Sequence, residues 1–216
     1  MNILVFLWIL AICFMAFLFA PVAEGFIGES SRIVFFHVPM AWVAVLSFLV
    51  AAFHAVQYLR TGQDESDLKS SVAARQGFFY SILATVTGAI FAKIMWGSYW
   101  NWDPRETSIT ILLFVYAAYL VLRSSIDDPR RRANLTAVYA AFAIVPAIFL
   151  TFVIPRMYTS LHPDTLINVE AKIKMQGRIL GTFLFSLGGF TLFYVWLYRL
   201  ECRIQRLISV KEGSHE

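Results

Sequence analysis

Apolar residues run through this chain in blocks too long for a soluble core, separated by short polar connectors. Six blocks stand out, at about residues 3–22, 33–57, 77–95, 107–122, 135–154 and 179–198. The fourth is strictly apolar only from Ile109, but it can begin earlier, within Pro104-Arg-Glu-Thr107. Crossing the hydrocarbon of a bilayer takes roughly 20 residues of helix. Lipid offers the backbone no hydrogen bonds, so only helices or closed barrels can span it, and continuous runs predict helices. The expected fold is therefore all-α. It is a polytopic membrane protein with a bundle of six transmembrane helices, forming a single domain over 1–216. The first block lacks a positively charged start and exceeds the ~7–15 apolar residues of a cleaved signal peptide, so it is read as a helix.

Composition sharpens this picture. The chain is 59% hydrophobic and 15% charged, against roughly 25% charged in soluble domains. The charges that remain are asymmetric. Arg60, Lys69 and Arg75 follow the second block. Arg123, Arg130, Arg131 and Arg132 follow the fourth, and Arg199, Arg203, Arg206 and Lys211 follow the sixth. Basic residues mark the cytoplasmic side, so both termini are expected to be cytoplasmic. The stretches Thr61–Ser71 and after Ile208 read as solvated polar segments. Arg32, Lys93, Arg105, Arg156, Lys172, Lys174 and Arg178 then fall on or near the outer side. Topology does not call for cations there, and an anionic ligand does.

Several function classes are set aside. Cys13 lies in the first span and Cys202 beyond the sixth, so they cannot pair on the outer face. C-x-x-C-H is missing, which excludes covalent c-type haem attachment on this chain. P-loop, G-x-G-x-x-G and H-E-x-x-H patterns are missing too, and no nucleic-acid partner is expected.

The candidate chemistry lies at the outer mouths of the helices. His37 stands in Arg32-Ile-Val-Phe-Phe-His-Val-Pro39 and His162 in Ser-Leu-His-Pro163, each within two residues of a proline. Proline disfavours helix at the residue before it. The second helix is accordingly expected to begin near Pro39, with His37 on its lip. Neutral imidazole is the commonest histidine metal ligand form, so the two form a candidate ligand pair. His54 follows His37 by roughly 25 Å of helix and reads as an interfacial residue near the opposite surface. Between the paired histidines lies Trp96-Gly-Ser-Tyr-Trp-Asn-Trp-Asp103. If it is helical, Trp96, Tyr99, Trp100 and Asp103 share one face, an aromatic ledge along the membrane surface with Trp102 nearby. Asp103, Pro104 and Glu106 fit N-cap, N1 and N3 of the fourth helix. A ligand for this constellation is flat, carries negative charge at an edge and accepts two imidazoles. Haem fits, with propionates for cations such as Arg32, Arg105, Arg156 or Arg178. A bare metal ion leaves the ledge unexplained, and a quinone leaves the histidines unexplained.

Trp96-Gly-Ser-Tyr-Trp-Asn-Trp-Asp-Pro-Arg105 resembles the tryptophan-rich "WWD" signature of the haem-handling membrane proteins of cytochrome c biogenesis. Gly88–Lys93 and Leu112–Tyr119 are similar to the same family, and His37 and His162 match its two outer-face histidine positions. The resemblance covers about 32–178. Six spans and the His37-Val-Pro-Met-Ala-Trp42 context are similar to the haem exporter protein C family. Asp103-Pro-Arg-Glu-Thr107 and Tyr99 look more like A-type cytochrome c synthetase subunits, which have more helices. The resemblance implies a protein that is not an enzyme. It holds haem b transiently and non-covalently at the outer (periplasmic) face of a bacterial cytoplasmic (inner) membrane. It would hand haem to a periplasmic E-type chaperone, beside A- and B-type ATP-binding-cassette transporter subunits and a small one-helix D-type subunit. Two rival readings fit less well. A permease needs polar residues at mid-membrane depth, and these spans are nearly free of charge. A b-type electron-transfer cytochrome holds its ligands within the spans.

Overall fold

The computed structural model describes residues 2–23, 25–162 and 177–213. The helices are α1 (Asn2–Phe14), α2 (Val34–Thr61), α3 (Asp64–Trp96), α4 (Pro104–Ser124), α5 (Pro129–Ile148), a short α6 (Ile154–Met157) and α7 (Gly177–Gly213). A π-helical turn, Met15–Phe19, extends α1, another, Phe149–Val153, joins α5 to α6, and a 3-10 turn, Gly28–Ile33, leads into α2. Among the described residues, five helical stretches are long and apolar enough to cross a membrane, and Ile3–Phe19, which precedes them, is a shorter apolar helix. The expected all-helical polytopic bundle is what forms.

Hydrophobic patterning located the helices, but hydrogen bonding carries several of them beyond the apolar blocks. Thr61–Ser71 is not a solvated loop. Gly62, at φ +66°, closes a tight turn, and α3 begins two residues later. Ser66, Ser70 and Ser71 are buried there, and the Ser70 hydroxyl donates to the Ala51 carbonyl at 2.9 Å. The stretch after Ile208 is likewise helical to Gly213. These polar turns are held because their charges pair across helices. Arg123 forks onto Asp67 at 2.6 and 2.8 Å. Arg75 meets Glu201 at 2.9 Å, and Arg206 pairs with Glu65. A bidentate, charge-assisted geometry is the strong form of such a contact.

Between the ends, small residues let the helices approach closely. Gly77 of α3 faces Phe48 of α2, where an added Cβ would stand 2.5 Å from the ring. Phe48 in turn stacks on Tyr116 of α4, which is fully buried. Helix α1 lies along α7. Trp8 stacks on Phe185 with centroids 5.0 Å apart and donates its Nε1–H to the Phe185 carbonyl. At the end opposite the polar network, the close of α1, the start of α2 and the start of α7 share a cluster of Ala16, Ala20, Phe35, Ile179 and Phe183.

Candidate functional site

Four chain segments meet at that second end: the start of α2, the end of α3, the segment before α4 and the segment after α6. The second helix starts earlier than its proline suggested. Val34 is its first residue, so His37 is helical, half-buried and not on a lip. Pro39 is tolerated inside the helix because its missing N–H orphans a single acceptor, the carbonyl of Phe35. The buried Ser186 hydroxyl of α7 donates to that carbonyl. His37 Nδ1 lies 3.0 Å from Thr87 Oγ1 on α3, and Gly88 leaves room for its Cε1.

The aromatic ledge departs from expectation. Helix α3 stops at Trp96, where Gly97 at φ +80° returns its N–H to the Lys93 carbonyl. Glycine reaches that left-handed conformation without steric cost and ends helices for this reason. Residues 97–103 are irregular, so Trp96, Tyr99, Trp100 and Asp103 do not form one helical face. Trp102 adopts φ +57°, which few non-glycine residues do. Tyr99 and Trp102 are 61% and 77% exposed, and Trp100 packs edge-on against Trp102. Among the described residues, Trp96 is the ring of this segment that packs against a histidine: it lies 4.9 Å from that of His162.

The capping box expected at Asp103 is present. The carboxylate accepts from the Arg105 N–H at 2.9 Å, while the Glu106 carboxylate reaches back to the Asp103 and Asn101 amides. The same carboxylate does more than start α4. It accepts from the Leu161 N–H at 2.7 Å and the Ser160 hydroxyl at 2.8 Å, and it sits 2.9 Å from His162 Nδ1. Asp103 is thus buried against His162. Burial pushes its carboxyl pKa up, but the hydrogen bonds from Arg105, Leu161 and Ser160, with the His162 charge, hold it below the usual carboxylate range. Burial holds His162 below the ordinary histidine value, helped by the positive charge of Arg105 and opposed by Asp103. Its neutral, ligand-capable form is therefore favoured.

Helix direction tilts His37 towards the end of the bundle where His162 lies. Side chains on a helix lean towards its N-terminus. Helix α3 runs towards this end of the bundle and α2 away from it, so Trp96 leans back as His37 leans out. His162 and Arg105 both lie within electrostatic reach of His37. Among the described residues no three His, Cys, Asp or Glu are grouped to hold a metal ion.

The candidate cations are scattered. Arg105 stays with the site. Arg32 donates to the carbonyls of Ala16 and Ala20 and pairs with Glu29, knitting α1 to the approach to α2. Arg156 donates to the Phe152 carbonyl at 2.6 Å, and Arg178 lies 5.5 Å over the Phe19 ring. Lys172 and Lys174 lie outside the described residues. His54 pairs with Gln57 at 3.0 Å on α2, apart from the site. Sequence reasoning missed Thr87, Ser160 and Ser186, whose identity gives no signal until partner helices are placed. It also missed a neighbouring apolar groove of about 510 Å³. Phe17, Phe36 and Phe91 line the groove, and Phe91 packs edge-on against Trp96.

The chain has relatives among known proteins. The chain is 28% identical over 200 residues to "Heme exporter protein C" of Rhodobacter capsulatus, covering 91% of this chain and 82% of the relative. It is 29% identical over 187 residues to the protein of that name in Paracoccus denitrificans, covering 85% and 78%. With the Haemophilus influenzae protein of that name it shares 30% over 189 residues, covering 88% and 76%. The family model described as "Heme exporter protein C" matches residues 1–214, and the chain belongs to the haem exporter protein C family.

Proposed function

We propose that this protein binds haem b non-covalently at the outer face of the bacterial cytoplasmic membrane and delivers it to a periplasmic haem chaperone during cytochrome c maturation. The observation that carries the reading is the matched anchoring of two imidazoles. His37 is held through Nδ1 by Thr87, and His162 through Nδ1 by Asp103. Ligating histidines characteristically bind a metal through one ring nitrogen and an orienting group through the other. Nε2 of each ring is then the nitrogen for iron. Trp96 packs on His162 and offers an aromatic surface beside it, while the exposed Tyr99 and Trp102, with the half-buried Trp100, face the region where the chaperone docks. Arg105 is the propionate partner best placed among the candidates. Its charge acts on both histidines, and Arg32, Arg156 and Arg178 are the other candidates.

In this reading the whole of 1–216 works as one haem-handling domain with both termini cytoplasmic. Its partners are the E-type chaperone, the A- and B-type cassette subunits and the D-type subunit. An electron-transfer cytochrome would hold both ligands within its spans, whereas His162 follows α6 in an outer segment. The test is purification of wild type, His37→Ala and His162→Ala with haem staining and visible spectra. Each variant is expected to lose the six-coordinate spectrum and to load less haem onto the chaperone. Retention of a wild-type spectrum by both variants rejects the ligand pair.

A further inference from the structure

We infer that Thr87 is a positioning residue for His37, fixing the tautomer that leaves Nε2 open to iron. The inference rests on the haem-ligand reading above and deepens it. The Thr87 hydroxyl lies 2.8 Å from the Leu83 carbonyl and 3.1 Å from that of Ala84, one turn back on α3. Two oxygens approach to 2.8 Å when a proton lies between them, and a carbonyl has none to give. The Thr87 proton is therefore directed into its own helix, as threonine often does at this spacing. Towards His37, 3.0 Å away, Thr87 Oγ1 has only lone pairs to offer. Nδ1 of His37 must then carry the ring proton and donate it. In a neutral imidazole one nitrogen is a donor and the other an acceptor, so the lone pair sits on Nε2.

Sterics reinforce the hydrogen bond. The next residue, Gly88, faces His37 Cε1, where an added Cβ would stand 3.0 Å from it. The ring thus rests in a notch made by a missing side chain, with Thr87 setting its rotation. His162 reaches the same protonation pattern by other means: the Asp103 carboxylate can only accept from its Nδ1. One imidazole is oriented by a neutral hydroxyl and the other by a carboxylate. The His37 nitrogen facing iron is accordingly the less electron-rich of the two.

The test compares Thr87→Val, Thr87→Ser and Gly88→Ala with His37→Ala in the full chain in detergent. Haem is titrated, low-spin spectra are recorded and the reduction potential is measured. Valine keeps the shape of threonine without the hydroxyl, and serine keeps the hydroxyl. Loss of an orienting partner typically weakens metal binding by 10–100-fold. Thr87→Val is expected to fall by at least about tenfold and to show mixed-spin haem, with Thr87→Ser restored to wild type. Gly88→Ala is expected to perturb the spectrum with the hydroxyl intact. If His37→Ala abolishes the low-spin spectrum while Thr87→Val matches wild type, Thr87 does not position His37. Equal defects in the valine and serine variants also overturn the inference. If His37→Ala itself leaves the spectrum unchanged, the ligand reading fails, and this inference fails with it.

Discussion

The carboxylate of Asp103 stands 2.9 Å from Nδ1 of His162 while it caps the first turn of α4. One side chain therefore starts a membrane helix and orients a candidate ligand. The two duties separate by substitution. Asparagine is as good an N-cap as aspartate, so Asp103→Asn is expected to keep α4 and its stability. It replaces the charged acceptor facing His162 with a neutral one, and haem affinity is expected to fall about 10–100-fold. Asp103→Ala is expected to lose about 1 kcal/mol of cap energy in addition. Thermal unfolding and haem titration of both variants check this. Wild-type affinity in Asp103→Asn would reduce the residue to a cap.

The four aromatic residues of the outer segment are not equivalent. Trp96 contacts both Phe91 and His162, whereas Tyr99 and Trp102 are largely exposed. Trp102→Ala and Tyr99→Ala are expected to change unfolding stability by no more than ~0.5 kcal/mol, the usual range for surface positions. They are expected to act on chaperone loading. Trp96→Ala is expected to lower both stability and haem retention, because it removes packing from His162. Denaturant titrations beside a loading assay distinguish the groups. A stability loss in Trp102→Ala equal to that of Trp96→Ala would contradict the assignment.

Long continuous apolar runs made the bundle legible, because lipid forces any such run into a helix. The cap at Asp103 was legible as well, since Asp-Pro-x-Glu is a local pattern with a local cause. Legibility failed where the deciding partner is distant. Pro39 reads as a helix start until Ser186 is seen donating to the Phe35 carbonyl. Thr61–Ser71 reads as a loop until Arg123 and Arg206 are seen pairing with Asp67 and Glu65. The ledge read as helical from the spacing of its rings, but Gly97 outweighed spacing by ending α3. Family membership settled the choice between C-type and A-type wording that Asp103–Thr107 and Tyr99 had left mixed.

Acid should reveal the field around His162. Burial and Arg105 hold its pKa below the ordinary value of about 6.5. Protonation of the imidazole competes with iron, so axial ligation is expected to survive to a pH below about 6.5. The sign for folding follows the same way. The unfolded chain takes up this proton at higher pH than the folded one, so the contribution of His162 to stability falls as pH drops through the unfolded value. Arg105→Gln removes a positive neighbour, raises the His162 pKa and should move the acid limb of haem loss upward in pH. Spectra recorded across pH 5–8 in wild type and variant measure that shift. A limb that stays in place or moves down would show that Arg105 does not act on His162.

The proline in α2 offers a separate check on the fold. Pro39 removes the N–H that would serve the Phe35 carbonyl, and Ser186 serves it instead from α7. Both residues are buried, so Ser186→Ala leaves an acceptor without a partner at a cost of about 1–3 kcal/mol. Pro39→Ala restores the missing N–H and gives that carbonyl its own helix as partner. In the Pro39→Ala background, Ser186→Ala is therefore expected to cost much less. A double-mutant cycle on unfolding in detergent reads this coupling directly. If the two substitutions add independently, Ser186 is not compensating for the proline.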